Sequence, residues 1–195
     1  MNIVEKLLQI KECDANCHDI NGYNVLYYIS EWLDRYIVGI DNPTTQMMSI
    51  LRTLLNSNYN INLRTKKGNN TILSLFLDLE HKPHNNLAKR FEIIELILDK
   101  PECDVMMITS ANEKVCENVY SQITRDTLPT TLLHVVKKLI VHPKFNVNQK
   151  LIYDDDTLLI RAAYNKHYNF VLYLLDNKKC SLYTKNRMGL TAIDY

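Results

Sequence analysis

One short pattern of asparagine and aspartate returns four times, and it constrains the fold more than any other feature of the chain. Asp14-Ala15-Asn16-Cys17-His18-Asp19-Ile20-Asn21-Gly22 is matched position for position by Asn60-Ile61-Asn62-Leu63-Arg64-Thr65-Lys66-Lys67-Gly68. Asp104-Val105-Met106 and Asn146-Val147-Asn148-Gln149 are weaker copies. Successive copies begin 46, 44 and 42 residues apart, at 14, 60, 104 and 146. Each follows an apolar helical run: Val4–Ile10, Ile50–Leu55, Ile93–Leu98 and Leu132–Val141. A near-even period of this size is the mark of a repeat architecture, in which each unit buries its apolar face only against its neighbours.

The pattern reads as a helix that stops, a short extended turn and a new helix. Asx side chains hydrogen-bond local backbone and tolerate left-handed conformations. Gly22, Gly68 and Gly189 are placed to supply positive φ at the reversal. Asn24, Thr71, Thr157 and Thr191 each precede a new apolar segment, as N-caps do. The fold class expected is therefore all-α, with paired antiparallel helices, Asx/Gly turns and long insertions between helices. Pro43, Pro83 and Pro129 mark those insertions, at 35–44, 80–88 and 124–129.

The fourth unit is the clearest. Thr157-Leu158-Leu159-Ile160-Arg161-Ala162-Ala163 leads through Lys166-His167 to Phe170-Val171 and Leu174-Leu175, a single apolar stripe at helical spacing. This resembles the ankyrin repeat, with Leu158 at its proline position, Ile160 at its first histidine position, Lys166 at its glycine and His167 at the histidine of its Gly-His turn. The resemblance extends to Gly22–Ser30 and to Gly189–Asp194, and is weakest at Asn112–Tyr120. The units are longer than the roughly 33 residues of a standard ankyrin repeat and fall nearer armadillo or HEAT arrays. Those arrays give no reason for a recurring Asp-x-Asn turn followed by glycine. The expected division of residues 1–195 is a half repeat over 1–18, repeats near 19–64, 65–108, 109–150 and 151–185, and a partial repeat over 186–195. Residues 2–10 read as a second helix without its first and Tyr195 falls inside a first helix, so further sequence or another chain is expected to cover the ends.

Charge and composition narrow the function. Lys plus Arg number 23 against 22 Asp plus Glu, for a net charge of +1, which argues against general nucleic-acid binding. No stretch approaches the roughly 18 apolar residues of a membrane span. Five scattered cysteines do not make a disulfide framework, and a reducing, cytoplasmic setting is expected. Cys13, Cys17 and His18 lack the further ligands a structural zinc wants, so neither a metal nor any other cofactor is expected. Asp154-Asp155-Asp156 reads as an acidic turn before a helix rather than a cation loop. No phosphate loop, nucleophile elbow or HExxH motif occurs, so no catalytic residue and no enzyme activity are expected.

The resemblance implies a protein-binding module whose first helices and turn tips line one groove. Carried onto this sequence, those positions are Tyr28, Glu31 and Trp32, Leu75, Asp78 and Leu79, then Arg161, Tyr164 and Asn165. The tips add His18, Asn21, Arg64, Lys66, Lys67 and Lys150, a basic rim that suits an acidic protein surface. Tyr28 and Trp32 either anchor a partner or pack beneath the insertion at 35–44. Asn16 and Asn62 stand in turns similar to those that an animal asparagine hydroxylase modifies in this family, although bracing the turn is the commoner role of asparagine. The irregular units and the Asn, Ile, Lys and Tyr bias are similar to ankyrin proteins of large DNA viruses, poxviruses above all. That likeness implies a host-interaction factor. The alternatives are a recognition arm of a larger enzyme or ubiquitin-ligase adaptor, and an effector of an intracellular bacterium.

Overall fold

The computed structural model describes residues 6–7, 10, 13–35, 43–66, 69–77, 87–106, 130–176 and 180–195, without the side chains of 32–35, 43–44, 87–89 and 130–132. The described residues are all-helical, with seven α-helices, a terminal 3-10 turn and no strand. We label them α1 (Val25–Arg35), α2 (Pro43–Leu55), α3 (Ile72–Leu77), α4 (Leu87–Leu98), α5 (Thr130–Val141), α6 (Leu158–Tyr164), α7 (Tyr168–Asp176) and η1 (Ala192–Asp194). The chain forms two compact units, Met1–Asp104 with Thr109–Asn112 and Val105–Ile108 with Glu113–Tyr195. The weak third copy at Asn112–Tyr120 and the insertion at 124–129 lie outside the described residues, as do most of the insertions at 35–44 and 80–88.

In the first unit α1 packs on α2 and α3, while α4 packs on α3 and α2. Two helical pairs thus stack side by side. Leu26, Leu51, Leu73, Phe76, Ile94 and Ile97 fill the space with essentially no exposure. Truncating the fully buried Phe76 to alanine costs on the order of 3–5 kcal/mol. In the second unit α6 packs on α7 and on η1. Ala162 is fully buried, the small side chain that lets α6 approach its neighbours. The stripe expected on α7 divides: Phe170 and Leu174 are buried, Val171 is half-buried and Leu175 is exposed.

All four expected N-caps form. Asn24 Oδ1 accepts from Tyr27 N–H at 3.0 Å, Thr71 Oγ1 from Ser74 N–H at 3.3 Å, and Thr157 Oγ1 from Ile160 N–H at 3.3 Å. Thr191 and Asp194 complete a reciprocal capping box around η1. Each bond satisfies a backbone donor that the start of a helix leaves unpaired. Pro43 opens α2 rather than lying in a loop. Its ring presets φ, and its missing N–H is one that a first turn leaves unpaired anyway.

Candidate functional site

The recurring turns do two jobs, one local and one between neighbours. Locally, the first Asx of three of the copies closes an Asx turn. Asp14 Oδ1 accepts from Asn16 N–H at 2.8 Å, Asn60 Oδ1 from Asn62 N–H at 3.0 Å, and Asn146 Oδ1 from Asn148 N–H at 3.1 Å. The asparagine two residues on then reaches the following copy. Asn16 Oδ1 accepts from Asn60 N–H at 2.7 Å, Asn62 Oδ1 from Asp104 N–H at 2.7 Å, and Asn148 Oδ1 from Ser181 N–H at 2.7 Å. The Nδ2 atoms of Asn16 and Asn62 donate onward to the carbonyls of Asn58 and Glu102. Both candidate hydroxylation sites therefore have their amide oxygen and nitrogen engaged.

Beyond each Asx turn the chain projects as a tight tip. The tips close by backbone bonds from Asp19 to Tyr23, Thr65 to Asn70, Leu151 to Asp156 and Asn186 to Leu190, all near 2.9 Å. In each case the residue before the closing one has positive φ: Gly22, Asn69, Asp155 and Gly189. Asparagine and aspartate thus fill two of the left-handed positions, and Gly68 lies outside the described residues. Adjacent tips are joined by Lys66 N–H to the Gly22 carbonyl at 2.8 Å in the first unit, and by Arg187 N–H to the Asp154 carbonyl at 2.9 Å in the second.

The tip of the first unit carries an aromatic cluster. Tyr23 and Tyr27 stack at 3.9 Å between centroids, and Tyr28 meets both edge-on. The Tyr28 hydroxyl donates to Asp19, whose carboxylate also accepts the N–H groups of Asn21 and Tyr23. The Tyr28 hydroxyl first, then the Tyr23 N–H, hold the Asp19 carboxyl below its ordinary value. The same bond pushes the Tyr28 hydroxyl up. Tyr28 is half-exposed beside this fixed anion, and Lys66 is exposed at the neighbouring tip. The basic rim therefore has a carboxylate built into it.

Several anticipated contact residues are engaged within the fold. His18 Nε2 donates to the Arg64 carbonyl at 2.7 Å, tying the first tip to the second. Arg64 itself reaches the Asn69 carbonyl at 3.4 Å. Arg161 pairs with Asp154, and its Nε lies 3.4 Å from Asp156 without hydrogen-bond alignment. Asn165 is the C-cap of α6, with Nδ2 donating to the Arg161 carbonyl at 2.9 Å. Asn21 is exposed and donates to Asp19. Glu31, Leu75 and Lys150 are half-buried. Lys67, Asp78, Leu79 and the Trp32 side chain lie outside the described residues.

In the second unit Tyr164 is 58% exposed, with its ring edge-on to Tyr195 at 5.3 Å. Sequence reasoning missed its companions. Tyr153 and Met188 are exposed on the adjacent tips, and Tyr195 is exposed beside Tyr164. Asn186 links them from below. Its Nδ2 donates to Asp156 at 2.9 Å and lies 3.4 Å from the Tyr195 hydroxyl, while its Oδ1 accepts from Met188 and Leu190. Burial holds the Asp156 carboxyl above its ordinary value, against the opposing Asn186 bond.

Other chemistry is sparse. A cavity of about 430 Å³ between α2 and α4 is lined by Thr45, Met48, Ser49, Arg52, Thr53, Asn56 and Glu92. It holds an exposed ion pair, Arg52 to Glu92 at 3.2 Å. Among the described residues no group of three or more His, Cys, Asp or Glu is arranged to hold a metal, and no helix is long and apolar enough to cross a membrane. No family model matches the chain, and no curated protein matches it significantly in sequence.

Proposed function

We propose that this chain is an ankyrin-type repeat domain that binds another protein through its turn tips and first helices. The observation that carries this reading is the set of asparagine rungs at Asn16, Asn62 and Asn148, each of which ties one turn to the following turn within its own unit. A rigid scaffold with projecting tips is the usual way a loop surface becomes a recognition surface. In the second unit the proposed contact side chains are Tyr153, Tyr164, Met188 and Tyr195; in the first, Tyr28 and Lys66. Tyrosine and methionine are enriched at interface cores, where they bring large contact area. The resemblance to large-virus ankyrin proteins adds the proposal that the partner is a host protein.

The test is comparative affinity capture from animal-cell lysate. The parent chain and a Tyr153→Ser/Tyr164→Ser/Met188→Ser variant are used as baits, alongside a Tyr28→Ser variant. A protein retained stoichiometrically by the parent and lost with either variant, at unchanged melting temperature, supports the reading. Equal retention by all three baits removes these surfaces from it, and no saturable partner for the parent removes the function.

A further inference from the structure

The first tip holds an anion that no cation answers. Asp19 is half-buried at the foot of the tip. Its Oδ1 accepts the N–H groups of Asn21 at 2.9 Å and Tyr23 at 2.8 Å, which fills that oxygen. Its Oδ2 accepts the Tyr28 hydroxyl, and the Asn21 amide stands 3.4 Å away, long for an N–H···O bond. All four donors are neutral, so they hold the carboxylate in its charged form and leave the charge uncompensated. Among the described residues no cationic side chain lies within ion-pair distance of Asp19. On the neighbouring tip Arg64 reaches the Asn69 carbonyl instead, and Lys66 is exposed.

The weakly filled position on Oδ2 lies next to a second acceptor. A phenol oxygen that donates its proton keeps its lone pairs, so Asp19 Oδ2 and Tyr28 Oη, joined by their own hydrogen bond, form two adjacent acceptor oxygens, one of them charged. Tyr28 is 47% exposed, and edge-on contacts with Tyr23 and Tyr27 steady its ring. Ile20 follows Asp19 in the chain and is wholly exposed. The charge is thus set beside an aromatic ring and an apolar side chain that nothing in the described fold covers.

We propose that this tip receives an arginine side chain of a partner protein, the guanidinium donating one N–H to Asp19 Oδ2, in place of the Asn21 amide, and a second to Tyr28 Oη. A guanidinium is planar, and its parallel N–H groups are spaced to meet two neighbouring oxygens, whereas a lysine ammonium is a point charge that gains little from the second one. The methylene stem of an arginine also suits the apolar surroundings of the charge. Exposed Lys66 repels a cation placed on the neighbouring tip, so the carboxylate fixes where along the rim the arginine sits. The inference rests on the reading of the first tip as a contact surface and names the group that it contacts.

The test presents the 195-residue chain to a phage-displayed library of random linear peptides, in parallel with Asp19→Asn, Tyr28→Phe and Tyr28→Ser variants whose fold is checked by circular dichroism. The parent is expected to enrich arginine among the recovered peptides, and Asp19→Asn to abolish the enrichment. A synthetic copy of the best peptide with lysine in place of that arginine is expected to bind the parent about five- to tenfold more weakly in calorimetry, a comparison that needs no variant to fold. Tyr28→Phe removes the second oxygen and is expected to bring the arginine and lysine copies to within about twofold of each other. Peptides without arginine enrichment, enrichment that persists on Asp19→Asn, a lysine copy that binds as tightly, or no peptide recovered by the parent each overturns the proposal. Peptides that lack arginine but are lost with Tyr28→Ser remove the arginine alone and keep the tip as a contact surface. Peptides indifferent to Tyr28→Ser remove the tip as well.

Discussion

Asn62 accepts the backbone N–H of Asp104 at 2.7 Å, across 42 residues of sequence, while its own amide donates to the Glu102 carbonyl at 2.9 Å. Both halves of one side chain thus serve backbone groups of the following turn. Asn62→Ala removes both bonds and is expected to lower stability by about 1–3 kcal/mol, read from the midpoint of urea denaturation. Asn62→Asp keeps the acceptor but sets a carboxylate against a carbonyl, so it is expected to recover only part of the loss. A midpoint unchanged in Asn62→Ala excludes this rung as a source of stability.

The same engagement bears on modification. With Asn16 and Asn62 each bonded through oxygen and nitrogen, a hydroxylase reaches either side chain only after its turn opens. Expression in animal cells is expected to leave the intact mass of the chain unchanged at both sites. An added oxygen mapped to either asparagine by tandem mass spectrometry contradicts this.

Gly22 and Gly189 share nearly the same positive φ, 81° and 80°, but not the same surroundings. A methyl group on Gly22 meets Lys66 Cβ at 2.7 Å, whereas one on Gly189 meets nothing within 4 Å. Gly189→Ala is therefore expected to carry only the backbone cost, about 1 kcal/mol. Gly22→Ala must also push the neighbouring tip away and is expected to cost at least twice as much, about 2 kcal/mol or more. Thermal denaturation of the two variants ranks them; equal losses refute the contact with Lys66.

Lys166 ends α6 with φ at 57°, the left-handed position where helices favour glycine. Lys166 N–H bonds the Ala163 carbonyl and His167 N–H the Ala162 carbonyl, bonds that need no particular side chain at position 166. Lys166→Gly is expected to stabilise the chain by about 1 kcal/mol, seen as a higher melting temperature. A lower one shows that the lysine side chain contributes more than the strain costs.

Asp156 titrates against its burial. Its folded value lies above the unfolded one, so the folded state binds the proton more tightly, and this residue's contribution falls as pH rises through and above the ordinary carboxylate range. Asp19 and Asp194 are shifted the other way, and their contributions are lost as pH falls below that range. Asp156→Asn is expected to flatten the decline in melting temperature on the high-pH side of that range without lowering it at neutral pH. An unaltered profile rules Asp156 out as its source.

The parts legible in the sequence are those that a few neighbouring residues determine. Asx turns and N-caps follow from local hydrogen bonding, so the spacing of Asp14 and Asn16 or the threonine before Leu158 was enough. Glycine proved too narrow a marker for the tips, because Asn69 and Asp155 adopt the same backbone region. What remained hidden depends on residues brought together by folding. Nothing near Arg161 in sequence announces that Asp154 will hold it, and nothing near His18 announces the Arg64 carbonyl. The exposure of Tyr153 and Met188 follows from the pairing of tips 33 residues apart in sequence, at Asp154 and Arg187.

The two rungs of the first unit, Asn16 to Asn60 and Asn62 to Asp104, are arranged in series, each joining only nearest neighbours. Tension applied along this row passes through each junction in turn, and between the first two turns the Asn16 rung shares it with the His18–Arg64 and Lys66–Gly22 bonds. A steady pull is therefore expected to open the row junction by junction, the weaker set of parallel contacts yielding first.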